Sequence, residues 1–198
     1  MTNIGHCYEP SDTFFFFLHQ KDPHESPTTK SHSIPLAVHA LSSTLVLPSS
    51  HPSSLQIYSP LSSSLLSELE ISPSNRVSRR EDKPILPARV EQVVISSCGS
   101  WMATVDCRVG DVDFRSDVYL KFWSWVRKDG SWGLNTRIDR PHGSHRITDI
   151  SFSPDFREPQ ASLLVSIGED YRIKVWQLRS IPETGTSTSI LFSILFKN

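Results

Sequence analysis

Two stretches of this chain repeat one another. Gly168-Glu169-Asp170-Tyr171-Arg172-Ile173-Lys174-Val175-Trp176 reads as a tight turn entering a short strand that ends on tryptophan. Asp117-Val118-Tyr119-Leu120-Lys121-Phe122-Trp123 has the same Asp-to-Trp spacing and the same lysine two places before the tryptophan. Within the later copy, Arg172, Lys174 and Trp176 alternate with Tyr171, Ile173 and Val175, which is strand periodicity; the β-branched side is expected to be the buried one. A repeat of this size constrains the fold strongly. One small sheet cannot cover both of its own faces, so the units must stack on each other.

Three such units are legible. In the first, Leu36–Leu41, Ser43–Leu47, Leu55–Tyr58 and Leu65–Ile71 are four short strands separated by Ser/Pro-rich turns, with no aspartate in the turn before Tyr58. In the second, Arg89–Ser96 alternates, with Val90, Gln92 and Val94 on one face and Glu91, Val93 and Ile95 on the other. A Ser97–Ser100 hairpin turn, Trp101–Asp106, Val118–Val126 and Trp132–Ile138 complete it. In the third, Arg146–Phe152 and Leu163–Ile167 precede the strand that ends at Trp176. The unit bounds are about 36–71, 89–138 and 146–180, within a folded region of 34–180. Residues 181–198 form a tail in which Ile190–Phe196 is a candidate last strand. Residues 1–33, broken by prolines around Phe14-Phe15-Phe16-Phe17, read as a poorly ordered segment or as sequence from a mispredicted gene start.

Charge is nearly balanced, 20 basic against 21 acidic residues, which argues against bulk electrostatic binding of nucleic acid. Cys7, Cys98 and Cys107 are too few and scattered for a disulfide framework or a zinc site. The apolar run Phe14–Leu18 falls short of the about 7–15 residues of a signal peptide and the ~20 of a membrane span. These features predict a soluble, intracellular chain with no membrane partner.

No catalytic pattern stands out. The sequence has no Gly-Lys-Ser/Thr phosphate loop, no His-Glu-x-x-His and no Gly-x-Ser-x-Gly, so no enzyme, cofactor, metal or small-molecule substrate is expected. Asp106, Asp111 and Asp113 are close in sequence, but without the glycine and distal glutamate of a calcium loop they are expected to be a solvated loop. Trp101, Trp123, Trp125 and Trp132 are expected in the core rather than as a base-stacking platform. Arg76, Arg79, Arg80 and Lys83, set against Glu81 and Asp82, read as a solvated connection, with a phosphate, RNA or partner contact as the sharper alternative.

Certain residues resemble the WD-repeat family of β-propellers: His142 before a first strand, Ile150-Ser151-Phe152-Ser153-Pro154 at its end, Ser166 in the second strand, then Asp170 and Trp176. The resemblance implies an all-β chain, here an incomplete propeller of about three four-stranded blades. It also implies a hydrogen-bonded network of His142, Ser166, Asp170 and Trp176, with Asp117 and Trp123 as the second copy. His142 is then a structural residue rather than a base, and His145 is its possible substitute, since one extra residue separates His142 from the strand. A closer likeness rests on Asn75–Arg79, Pro84–Val90, Gly99–Asp106, Leu120–Trp123 and above all Leu134-Asn135-Thr136-Arg137-Ile138-Asp139-Arg140-Pro141-His142. These resemble the second propeller of the Nan/Utp-seventeen-like, WD-repeat 75 type of the small-subunit processome. That likeness implies a non-catalytic nucleolar scaffold in pre-18S rRNA processing, linked to transcription by RNA polymerase I. Its implied partners are other processome proteins and, indirectly, the U-three small nucleolar RNP and pre-rRNA. A WD module of another nuclear complex, or a non-functional truncated copy, is the alternative. Seven blades need about 300 residues, so three units imply an internal fragment, a truncated gene model or a degenerate duplicate.

Overall fold

A computed structural model describes residues 34–74, 86–110, 116–154, 161–183 and 186–196, and all of its regular elements there are strands. They are β1 (Ala37–His39), β2 (Thr44–Pro48), β3 (Ser54–Ser59), β4 (Ser64–Glu70), β5 (Arg89–Ile95), β6 (Trp101–Arg108), β7 (Asp117–Val126), β8 (Ser131–Asp139), β9 (Ile147–Phe152), β10 (Ala161–Gly168), β11 (Ile173–Glu183) and β12 (Thr186–Phe196). They form three antiparallel meanders of four, each in sequence order. The chain is therefore a partial β-propeller. In the segment set apart above as a tail, β12 pairs with β11 from Ile173↔Phe196 to Glu183↔Thr186. The N-terminal segment 1–33, the basic connection carrying Arg76, Arg79, Arg80 and Lys83, and Asp111 and Asp113 lie outside the described residues.

Burial follows from which sheet has neighbours. The middle sheet, β5–β8, feeds two cores. Met102, Trp123 and Trp132 join Val46, Leu55 and Ile57 of the first sheet. Ala103, Val105, Leu120 and Phe122 join Ile150, Leu164 and Trp176 of the third. All but the last residue of β6 are buried, as expected of a strand covered on both faces. The tryptophans are accordingly core residues: Trp101, Trp123 and Trp132 are buried and Trp125 packs against the first core.

Two expectations about faces are corrected. On β11 the covered face is that of Trp176, while Ile173 is 39% exposed and Tyr171 95% exposed. Alternation distinguishes two faces but not which one meets the middle sheet. On β5 the buried residues are Val90 and Val93, which have opposite parity. The register shifts between Val90 and Gln92, and this bulge at Glu91 turns the rest of the strand over.

Contacts between sheets are partly polar. Arg146 donates from Nε to Glu91 Oε2 at 2.8 Å, and Gln92 Nε2 donates to the Thr148 carbonyl at 2.6 Å. Between the first and second sheets, His39 Nε2 donates to the Gly99 carbonyl at 2.9 Å, and the His39 ring lies against Trp125 and Trp132. Gly99 has φ +69°, and a Cβ there would stand 2.9 Å from Leu41 Cβ and 3.1 Å from His39 Nε2. The hairpin Ser97–Ser100 thus needs glycine for both its backbone and its close neighbour.

Candidate functional site

Four of the residues singled out in the sequence come together in the third sheet. Trp176 Nε1 donates to Ser166 Oγ at 2.9 Å, His142 Nε2 lies 2.8 Å from the same oxygen, and His142 Nδ1 lies 2.8 Å from Asp170 Oδ1. The roles follow from the ends. The indole can only donate and an ionised carboxylate only accept. Ser166 therefore donates its hydroxyl proton to Nε2, and Nδ1–H donates to Asp170. This is one neutral imidazole tautomer with both ring nitrogens used. The Arg172 amide adds a donor to Asp170 Oδ1 at 3.2 Å. His142 and Ser166 are buried. His145, the possible substitute, is exposed.

Electrostatics agree with this proton order. Burial pulls the His142 pKa below its usual value, with Asp170 working in the other direction. Burial works against ionisation of Asp170, but hydrogen bonds from His142 and the Arg172 amide outweigh it and leave its carboxyl below the ordinary value. His39 is likewise lowered by burial, opposed by its bond to Gly99. A histidine kept neutral by folding makes the unfolded chain the better proton binder once the pH nears the unfolded value of about 6.5. Its stabilisation is thus fully present above that value and is lost as the pH falls below it. The thermal midpoint is expected to fall between pH 7.5 and 5.5, with at most ~1.4 kcal/mol per pH unit from each histidine. A His142→Gln/His39→Gln variant should flatten the profile; an equally steep profile would remove these rings as the cause.

Asp117 and Trp123 are not a second copy of that network. Asp117 sits in β7, opposite Arg108, which donates to it at 2.6 Å; Arg140 stands 3.5 Å from its other oxygen. The β6–β7 hairpin extends past the point where β10–β11 has already turned, so equal spacing in sequence leads to different places. Trp123 does keep its half of the arrangement, donating from Nε1 to Thr104 Oγ1 at 3.0 Å.

The middle sheet solves the same problem with a group that the sequence reading assigned to a solvated loop. Asp106 is fully buried. Lys121 Nζ lies 2.8 Å from its Oδ1 and donates to the Ile71 carbonyl at 2.6 Å. Register makes the two sheets comparable: Thr104 pairs with Lys121 as Ser166 pairs with Lys174. Lys174 also donates to a connector carbonyl, that of Pro141. The residues after those carbonyls are Ser72 and His142, and two places beyond the hydroxyl residues are Asp106 and Gly168. The middle sheet thus has a serine where the third has the histidine, and a carboxylate where the third has glycine. A Cβ on Gly168 would meet His142 Nδ1 at 2.5 Å. Burial pushes the Asp106 carboxyl up against the pull of Lys121 and Ser72, and pushes Lys121 down against the pull of Asp106. The repeated lysine was visible in sequence; its acceptor, 50 residues away, was not.

In the third sheet both His142 ring nitrogens, the Ser166 hydroxyl and the Trp176 indole are hydrogen-bonded, and in the middle sheet Lys121 holds both Asp106 and the Ile71 carbonyl. The Cys107 thiol is buried and pushed up to about 11, which leaves little thiolate near neutrality. Among the described residues no group of three His, Cys, Asp or Glu side chains is placed to hold a metal ion. The arrangement ties the connectors before β5 and β9 to the strands of the sheets that follow them.

Comparison with known proteins gives a consistent result. The family model for the second β-propeller of WD repeat-containing protein 75 matches residues 36–193. WD repeat-containing protein 75 of Xenopus laevis is 33% identical over 147 residues, covering 73% of this chain and 17% of that protein. The proteins of the same name from Mus musculus and Homo sapiens are each 28% identical over 127 residues, covering 64% of this chain and 15% of theirs. The chain spans about one sixth of the length of the curated relatives it matches.

Proposed function

Because this chain belongs to the WD repeat-containing protein 75 second β-propeller family, we propose that it acts as a non-catalytic scaffold in ribosome biogenesis. Its place is early assembly of the small-subunit processome and pre-18S rRNA processing, in the nucleolus and coupled to transcription by RNA polymerase I. The match over residues 36–193 carries this reading. The geometry supports the scaffold part of it. His142, which could have suggested a base, and Asp106, which could have suggested a cation site, are both taken up in contacts within their own sheets. Partners would be processome proteins met through loops, with the U-three small nucleolar RNP and pre-rRNA contacted through them.

The test is recovery of the tagged full chain from growing cells. Processome proteins, the U-three RNA and pre-18S precursors are expected to be enriched, and the chain to concentrate in the nucleolus. Exclusion from the nucleolus together with enrichment of chromatin or ubiquitin-ligase subunits would replace this reading with a WD module of another complex. Enrichment of nothing would favour a non-functional copy.

A further inference from the structure

We infer that Ser42, in the turn between β1 and β2, is a reactive hydroxyl that accepts an acyl group from an activated ester or thioester, with His39 as its base. Three contacts carry the inference. Ser42 Oγ lies 2.6 Å from His39 Nδ1, His39 Nε2 lies 2.9 Å from the Gly99 carbonyl oxygen, and Thr44 Oγ1 lies 2.8 Å from Ser42 Oγ. The proton order follows from the carbonyl, which can only accept. Nε2 therefore carries the ring proton, and in the neutral ring Nδ1 is left bare. Ser42 donates its one proton to Nδ1, so Thr44 donates to Ser42. One lone pair of Ser42 Oγ remains for an electrophile. A nucleophile, a base within reach of its proton and a group that fixes the base's tautomer are thus aligned, which is what activation of a hydroxyl requires.

The third sheet supplies an inert comparison. Ser166 makes the same kind of bond to His142, but it is 0% exposed and also accepts from the Trp176 indole, so no reagent reaches it. Ser42 is only half-buried. Its turn is closed by the Ser43 amide, which donates to the Ala40 carbonyl at 3.3 Å. His39 is fully buried, with its ring against Trp125 and Trp132 of the middle sheet. The base is therefore fixed between two sheets of this chain, and the nucleophile at their rim stays within reach. Burial keeps the imidazole neutral, so Nδ1 is available near neutral pH. The same burial disfavours the imidazolium, which makes the transfer slow and stoichiometric rather than a turnover.

In the reaction, Ser42 Oγ bonds to the acyl carbon and its proton passes to His39 Nδ1. The bond from the acyl carbon to the leaving oxygen or sulfur then breaks, the leaving group takes that proton, and the ring returns to its resting tautomer. The products are an O-acyl serine and a free alcohol or thiol. Treating the full chain with p-nitrophenyl acetate, and following each serine by peptide mass spectrometry over time, tests this. Acetylation of Ser42 is expected to be at least tenfold faster than that of its exposed neighbour Ser43, since a positioned base contributes about 10²–10⁴-fold. The preference should vanish in urea, where turn and ring separate. His39→Gln keeps a polar side chain but removes the base, so it should slow Ser42 at least tenfold and leave Ser43 unchanged. Native Ser42 reacting no faster than Ser43 would overturn the inference, and so would an undiminished Ser42 rate in His39→Gln. The comparison of the two serines in the wild-type chain does not depend on the variant folding.

Discussion

Lys121→Met is expected to lower folding stability by about 3–5 kcal/mol, the range for removing one member of a buried ion pair. Lys121 is buried, and it has two tasks. It neutralises Asp106 at 2.8 Å and satisfies the Ile71 carbonyl at 2.6 Å. Methionine fills similar volume, so packing is nearly conserved and the loss is electrostatic. The Ser72 hydroxyl remains beside Asp106 but carries no charge, so the buried carboxylate loses its paired cation. Two further results separate this account from simple core damage. First, a stranded carboxyl, pushed up by burial, takes up a proton more readily in the folded chain than in the unfolded one. The variant should then regain part of its stability on acidification, whereas the wild type loses stability through His39 and His142. Second, Lys121→Met/Asp106→Leu should recover most of the loss, since an apolar pair of similar size often matches a buried ion pair. The Ile71 carbonyl remains unpaired, so recovery is incomplete by ~1–3 kcal/mol. Urea unfolding followed by tryptophan fluorescence measures all three chains. A single variant within 1 kcal/mol of wild type would mean that the pair carries no net burden.

The difference between Lys121 and Asp106 also marks how far the sequence could be read. Twelve-strand organisation was accessible because alternation and Ser/Pro/Gly turns are local signals, and each unit is a meander whose strands pair with their neighbours in order. The His142, Ser166, Asp170 and Trp176 set was accessible through the resemblance to the WD-repeat family, whose motif these four residues match within one unit. Contacts between units left no such trace. His39 meets Gly99 across 60 residues, and Lys121 meets Ile71 across 50. Asp117 shows the opposite failure. Its spacing to Trp123 equals that of Asp170 to Trp176, but spacing cannot say whether an aspartate lies in the turn or is already paired in a strand. Face assignment failed on β11 for a related reason: Ile173 and Val175 are the more strand-like residues, yet a face is buried only where another sheet lies against it.

Gly168→Ala should be comparably damaging, about 2–6 kcal/mol, from one methyl group. The added carbon would stand 2.5 Å from His142 Nδ1, 2.6 Å from its Cγ and 2.7 Å from Asp170 Oδ1. None of these atoms belongs to a flexible chain end. The imidazole is buried and bonded at both nitrogens, so it can give way only by breaking the chain of hydrogen bonds. Overpacking of this kind costs about 1–3 kcal/mol, and leaving the Ser166 hydroxyl or the Trp176 indole unsatisfied adds ~1–3 kcal/mol. The middle sheet shows how the same space can be filled differently, with Ser72 in place of the ring and the Asp106 side chain in place of hydrogen. Importing half of that solution tests the comparison. His142→Ser alone opens a cavity, and Gly168→Ala alone overfills the site. Together they bring a small residue and a methyl group into the space one ring had occupied. The double variant is therefore expected to be less destabilised than the sum of the two singles, by at least ~1 kcal/mol of coupling, as expected for residues in direct contact. Strict additivity in urea unfolding would show that the ring and the glycine do not compete for one space, and the equivalence drawn between the two sheets would fail with it.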